Sequence, residues 1–344
     1  MLFVTNRVLE QGLTPLPPPG ADVRLERSVN FVLENNQAEQ SFYCCRRAGL
    51  FDYIEIGSSN FFDALKSLNA DQLLFFIHGF STQPEDAFGQ AERLQNLLDA
   101  LHQVDKTQSI ESPKIVVIPL IWPCDNDFGK VRDYFDDQKS ADASAFAYMR
   151  LMQKFLHWRE ENSTLDDPCF KRVNVLSFSM GNRVLRGTLH LSAKYYPQNS
   201  LGLLFRNVFM AAADVVNETL ETGKTGGIIP LVSRNVVVYY AADDLALRAS
   251  KVANVNNASR RLGHTGPEDI AKAPKNVYAI DCDDFNNKYD RVGHTYFLAD
   301  PQTGDAGLLL RHAWECMRTG RVPVDPARAK PINRIEILNS LQQL

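Results

Sequence analysis

The chain has no surplus of positive charge: 37 Lys and Arg stand against 41 Asp and Glu, a formal charge of −4. Without a basic field there is nothing to hold a phosphate backbone or an acidic membrane surface, so nucleic acid is not an expected partner. Long apolar runs are missing as well. Met1 to Arg7 carry too short an apolar stretch for a secretory signal, and no later stretch approaches the ~20 apolar residues of a membrane span. No stable membrane insertion is expected, and the chain reads as cytoplasmic. Cysteine is sparse and unpatterned. The six, at 44, 45, 124, 169, 282 and 316, show no Cys-x-x-Cys spacing, and a chain of 344 residues builds a core that needs no staples. They read as free thiols, with neighbouring Cys44 and Cys45 packed in an edge strand rather than binding metal. There is no internal repeat and no low-complexity tract.

What is present, from about residue 73, is alternation. Short β-rich runs at Leu73–Ile77, Ile115–Leu120, Val173–Leu176, Leu203–Met210, Val236–Tyr240 and Val277–Ile280 are separated or followed by helical patterns. These fall at Glu85–Leu101, Ala141–Trp158, Asn182–Tyr195, Leu245–Asn256 and Leu308–Met317. Strand and helix in turn predict an α/β fold: a mostly parallel sheet covered on both faces, in one domain over 1–344. Residues 1–70, broken by Pro-rich 15–20, suit two or three antiparallel strands at the sheet edge. The polar stretch 121–140 is too long for a simple connection and is expected to lie over the mouth of a site as an inserted cap. The tail, 320–344, ends in a short amphipathic segment, Ile335–Leu341, that docks on the body, docks on a second copy of the chain or simply frays, so a homo-oligomer stays open.

The chemistry concentrates in Val173-Asn174-Val175-Leu176-Ser177-Phe178-Ser179-Met180-Gly181-Asn182. An apolar strand runs into a helix through Ser-x-Ser-x-Gly. That resembles a nucleophile elbow, in which a strained turn lifts the serine hydroxyl above the strand ends and needs small residues two positions to either side. Ser177 stands where glycine is usual but is small. The bland reading is that the two serines cap the following helix. A second strand, Leu73–Ile77, ends in His78-Gly79-Phe80, about 100 residues earlier.

Those two segments, with Ile121-Trp122-Pro123, with Tyr134 followed by Asp137, Ser140, Ala141 and Ser144, with Tyr240 and Asp244-Leu245-Ala246-Leu247, and with Gly293-His294-Thr295-Tyr296, resemble the α/β-hydrolase superfamily, and within it a little-characterised esterase/lipase-like branch. The likeness covers about 70–300. It implies a Ser-Asp-His hydrolase with Ser179 as nucleophile and the backbone amides of Phe80 and Met180 as oxyanion hole. Cys124 stands where a serine is commoner.

A hydroxyl is a poor nucleophile at neutral pH and needs an imidazole within reach, itself held by a carboxylate. In this fold both follow the serine in chain order. His190 lies about three helical turns from Ser179, roughly 15 Å away, and His312 falls in the last helix as a surface or packing residue. His294, after the last strand, is the base, with His264 second; His78 shapes its loop. The resemblance, through Asp244-Leu245-Ala246-Leu247, implies Asp244 as the acid, with Asp243 and Asp214 as alternatives; neighbouring residues after a strand face opposite ways, so only one of the adjacent pair can meet the imidazole. Trp122 is expected as an apolar wall of the substrate entrance, with Tyr134 packed inside the cap; the competing reading of Trp122 is a buried Trp-Pro corner. No metal or cofactor is called for. The expected partner is a small ester or acyl substrate. An amidase, a thioesterase, an acyltransferase and a non-catalytic binding protein are the rival readings.

Overall fold

The computed structural model describes residues 1–11, 26–124, 130–164, 171–196, 202–253, 260–323 and 335–337. Pro-rich 15–20, Cys169 and, in the tail, 324–334 and 338–344 lie outside them. In chain order the elements are β1 (Leu2–Arg7), β2 (Leu9–Gln11), β3 (Arg27–Phe31), β4 (Ala38–Gly49), β5 (Asp52–Glu55), α1 (Ser58–Ser67), β6 (Gln72–Ile77), α2 (Pro84–Thr107), β7 (Ile115–Ile121), α3 (Lys130–Asn162), β8 (Arg172–Phe178), α4 (Gly181–Tyr195), β9 (Phe205–Ala211), α5 (Ile228–Leu231), β10 (Ser233–Tyr240), α6 (Leu245–Ala253), α7 (Leu262–Thr265), β11 (Val277–Asp281), α8 (Asn286–Tyr289), α9 (Leu308–Thr319) and β12 (Ile335–Ile337). The strands form one sheet in the order β12-β11-β10-β9-β8-β6-β7-β1-β4-β5-β3-β2. Neighbours from β12 to β1 run parallel and the rest antiparallel.

Parallel strands buried on both faces read as continuous apolar runs, and Leu73-Leu74-Phe75-Phe76-Ile77 is such a run. Its residues divide between two cores. Leu73 and Ile77 pack with α1, α3 and α4, while Leu74 and Phe76 pack with α2 and α9. The helices on the second face have clear ends: Pro84, Glu85 and Asp86 open α2, and α9 closes on Gly320 in the left-handed region, whose amide donates to Cys316 O at 2.8 Å. A ladder of amides crosses the strand starts beneath α9. Asn235 donates to Asn207 at 2.8 Å, Asn207 to Asn174 at 2.8 Å and Asn174 to Gln72 at 2.9 Å, while Gln72 Nε2 reaches Met317 O at 3.0 Å. Buried amides of this kind are tolerated because each finds a partner.

Two expectations are revised. The described residues among the first 70 give five strands and a helix. β1 is not an edge strand but inserts between β7, to which it is parallel, and β4; Cys44 and Cys45 are buried inside the sheet, and burial pushes both thiols up. The stretch 121–140 is not an insertion throughout. Ile121 closes β7, Trp122 and Cys124 are buried, 125–129 lie outside the described residues, and from Lys130 the chain is already α3. Its helical period escapes the sequence because inward-facing positions there are polar: Asp133, Asp137 and Ser140 are buried while Lys139 is exposed.

Candidate active site

β8 delivers Ser179 to the parallel strands' C-terminal edge, and α4 begins at Gly181. Between them the turn is strained: Ser179 has φ of 50°, a left-handed conformation that costs a non-glycine residue roughly 1–3 kcal/mol. Neighbouring groups hold it. The Ser179 amide donates to Ala211 O at 3.0 Å, and the Ser179 carbonyl accepts from the amides of Asn182 at 3.1 Å and Asp214 at 3.2 Å. Asn182 Nδ2 adds bonds to Ser177 O at 2.9 Å and Ser179 O at 3.1 Å. At Gly181 a Cβ would lie 2.6 Å from both Ile77 O and His78 O, so no side chain fits there. Ser177 is buried and its hydroxyl has no hydrogen-bond partner among the described residues, so it caps nothing.

Ser179, His294 and Asp244 form one chain of hydrogen bonds. Ser179 Oγ lies 2.9 Å from His294 Nε2, and His294 Nδ1 lies 2.6 Å from Asp244 Oδ2. All three are nearly closed to solvent, at 3%, 8% and 0% exposure, which strengthens each interaction. Asp244 also caps α6, since its Oδ1 accepts the Leu247 amide at 2.9 Å. Asp243 points away and takes hydrogen bonds from Asn286, at 2.5 Å, and Asn287. It braces the loop rather than capping the helix.

That loop is tied by Asp290, which the sequence did not single out. Its carboxylate accepts the amides of Thr295 at 2.9 Å, His294 at 3.0 Å and Val292 at 3.2 Å. Burial alone would raise the Asp290 carboxyl, but these amides outweigh it and hold it below the ordinary carboxylate range. Gly293, with φ of 72°, provides the turn into His294, and a Cβ there would meet Asn286 Nδ2 at 2.6 Å.

The His78–Phe80 loop comes close to the nucleophile: a Cβ at Gly79 would stand 3.2 Å from Ser179 Cβ. Neither the Phe80 amide nor the Met180 amide donates to a protein acceptor among the described residues. Both therefore remain available to a ligand, Met180 at the N-terminus of α4. The loop is held from several sides. Trp122 is fully buried, stacks on His78 at 5.3 Å and 8°, and donates its indole N–H to His78 O at 2.9 Å. It supports the loop from beneath and is not an exposed wall at an entrance; an indole N–H with a backbone acceptor suits burial. Asp137 on α3 accepts the Ser81 amide at 2.8 Å.

Tyr134 lies edge-on to Phe80 at 5.9 Å and donates its hydroxyl to Asp214 Oδ2 at 2.7 Å, so it packs against the loop rather than within a cap. Burial first, then the Asp214 charge, pushes this phenol up to about 12. Asp214 is committed elsewhere than to His294. Arg261 Nε lies 3.1 Å from Asp214 Oδ1, and Ser250 donates to the same oxygen at 2.8 Å. The other histidines also have separate places. His264 accepts from Arg248 at 3.4 Å on α7, and His190 is exposed on α4.

His312 is buried between Tyr239 OH, at 2.8 Å, and Pro323 O, at 3.1 Å. Burial pushes both His312 and His78 down to about 4. In the unfolded chain each takes a proton near pH 6.5, and in the folded one only near 4, so stability falls as pH drops through that window. The loss is about 2 kcal/mol per group at pH 5. Denaturant midpoints should therefore decline from pH 7 to pH 5, and the decline should shrink in His312→Gln whatever its stability at pH 7. An equal decline would contradict the assignment.

No metal-binding group of three or more His, Cys, Asp or Glu occurs among the described residues, and no helix there is long and apolar enough to cross a membrane. Residues 56–311 match the profile of a family described as alpha/beta hydrolase of unknown function (DUF900). Among solved structures the chain is similar to phospholipase PlaB from Legionella pneumophila in complex with thio-NAD, at 13% identity and a TM-score of 0.27, and to the same phospholipase alone, at 12% and 0.26. Both alignments cover 64% of this chain but only 38% and 40% of the phospholipase, so the chain spans about two-fifths of that protein. No curated protein matches.

Proposed function

Because the chain belongs to this family of α/β-hydrolases and is a hydrolase on that ground, we propose that it cleaves carboxylic esters through an acyl-enzyme, with Ser179 as nucleophile, His294 as general base and acid, and Asp244 as the orienting carboxylate. The observation that carries the reading is the continuous chain from Ser179 Oγ through both nitrogens of His294 to Asp244. Its buried carboxylate favours the Nδ1–H tautomer, which leaves Nε2 free to accept the serine proton. Ser179 Oγ attacks the ester carbonyl while His294 Nε2 takes its proton. Negative charge then develops on the carbonyl oxygen, where the Phe80 and Met180 amides meet it; one such donor contributes about 3–4 kcal/mol in related sites. The imidazolium returns the proton to the leaving alcohol, and water, activated by the same nitrogen, releases the acid. The substrate is a small ester or acyl compound, and a cytoplasmic setting accords with the buried thiols of Cys44, Cys45, Cys282 and Cys316, which form no disulfide among the described residues.

A panel of p-nitrophenyl esters from acetate to dodecanoate tests this, run beside a p-nitroanilide and a thioester of the same acyl groups. At least one ester should turn over far above buffer and ahead of its amide. Turnover of the amide or thioester alone would reassign the leaving group, and no turnover at all would favour a binding protein of this fold.

A further inference from the structure

At the opposite edge of the sheet, where the parallel strands begin, an open cleft of about 250 Å³ is lined by Arg172, Arg206, Arg234, Trp158 and Leu204 among others. Seven residues of β8, about 20 Å of extended chain, separate this edge from Ser179. Two arginines stand side by side there. The β9–β10 register pairs Ser233 with Phe205 and Asn235 with Asn207, which sets Arg234 directly across from Arg206 on the neighbouring strand. Like charges in that relation repel. Neither they nor Arg172 has a carboxylate partner among the described residues, and Arg206 Nε is buried without an acceptor. Burial first, then Arg172 and Arg234, lowers the Arg206 guanidinium from its usual range. Arg206 also lies against Gly320 at the C-terminus of α9, which offsets part of one charge and leaves Arg234 uncompensated.

Beneath the cleft is an apolar cavity of about 100 Å³ between the sheet and α1, α3 and α4, and the two share Leu65, Phe155, Val173, Leu204 and Phe205 as walls. Cations at a mouth that opens onto aromatic and aliphatic walls match one kind of ligand on both counts. The geometry points to a second binding site, remote from Ser179, for an amphiphilic anion: a fatty carboxylate whose head lies on Arg206 and Arg234 and whose tail enters between Phe155 and Leu204. An ionised carboxylate satisfies the guanidinium donors bidentately and relieves their repulsion, while the tail fills apolar space.

Trp158 lines this cleft and stacks on Phe155 at 6.3 Å, so it reports occupancy. Titration of the full chain with a brominated dodecanoate, below its micelle concentration, should quench Trp fluorescence saturably, and the quenching should vanish in Trp158→Phe. In Arg206→Gln/Arg234→Gln the Kd should rise about tenfold or more, with p-nitrophenyl acetate hydrolysis unchanged. Arg234→Gln alone, at an exposed position, should show the same direction if the double variant folds poorly. The brominated alcohol should bind at least as weakly as the acid does to the double variant, and inorganic phosphate should displace the acid only at far higher concentration. Quenching that survives in Trp158→Phe, affinity unchanged in the arginine variants, or equal binding of alcohol and acid would overturn the proposal. Displacement by phosphate at equal concentration would reduce the site to an ion patch and overturn it as well.

Discussion

Ser179→Ala should lower kcat on any ester the protein hydrolyses by on the order of 10⁶, the loss seen when a nucleophile is removed from a serine-based site, at nearly unchanged melting temperature. The hydroxyl makes one hydrogen bond among the described residues, 2.9 Å to His294, and the strained turn is held by backbone and by Asn182, none of which uses Oγ. Ser177→Ala makes the contrasting case. Its buried hydroxyl has no partner among the described residues, so removing it takes away an unsatisfied polar group and should leave activity within a few-fold and stability equal or higher. An inactive Ser177→Ala beside an active Ser179→Ala would move the elbow by two residues.

Asp244→Asn should cost on the order of 10⁴ in kcat, because an amide facing His294 Nδ1 favours the wrong tautomer. The capping role of Asp244 shapes the stability readout. Asparagine caps as well as aspartate, so the melting temperature should hardly move, whereas Asp244→Ala loses the Leu247 bond too and about 1 kcal/mol of stability with it. Asp243→Asn weakens the brace to Asn286 and Asn287 and should lower activity only a few-fold. If Asp244→Asn keeps its activity, the acid lies elsewhere, and Asp214 would have to leave Arg261 to serve.

The groups proposed to act on a substrate left marks in the sequence; the backbone contacts made by the residues around them did not. Ser179 is visible because a strand, a turn with Gly181 and a helix follow one another, and His294 because it falls after the last parallel run while His190 is displaced along a helix. Asp290 and Asp137 accept backbone N–H groups and Asn182 donates to backbone carbonyls, and such contacts impose no period on the chain. Trp122, at the start of the stretch read as an insertion, reads as an exposed wall, yet a backbone acceptor at His78 O lets it be buried. The start of α3 was hidden for a related reason: its inward face carries Asp133 and Asp137 in place of apolar residues. The placement of β1 inside the sheet could not be read either, since pairing of Val4 with Leu120 and of Phe3 with Cys45 joins residues far apart in the chain.

Reaction with a fluorophosphonate tests the account most directly, because that reagent phosphonylates a serine whose hydroxyl is activated and leaves ordinary serines alone. Mass mapping of the labelled, folded protein should find one adduct, on Ser179, lost in Ser179→Ala, strongly slowed in Asp244→Asn and retained in Ser177→Ala. An adduct on another residue, or none on a folded protein that hydrolyses esters, would contradict it.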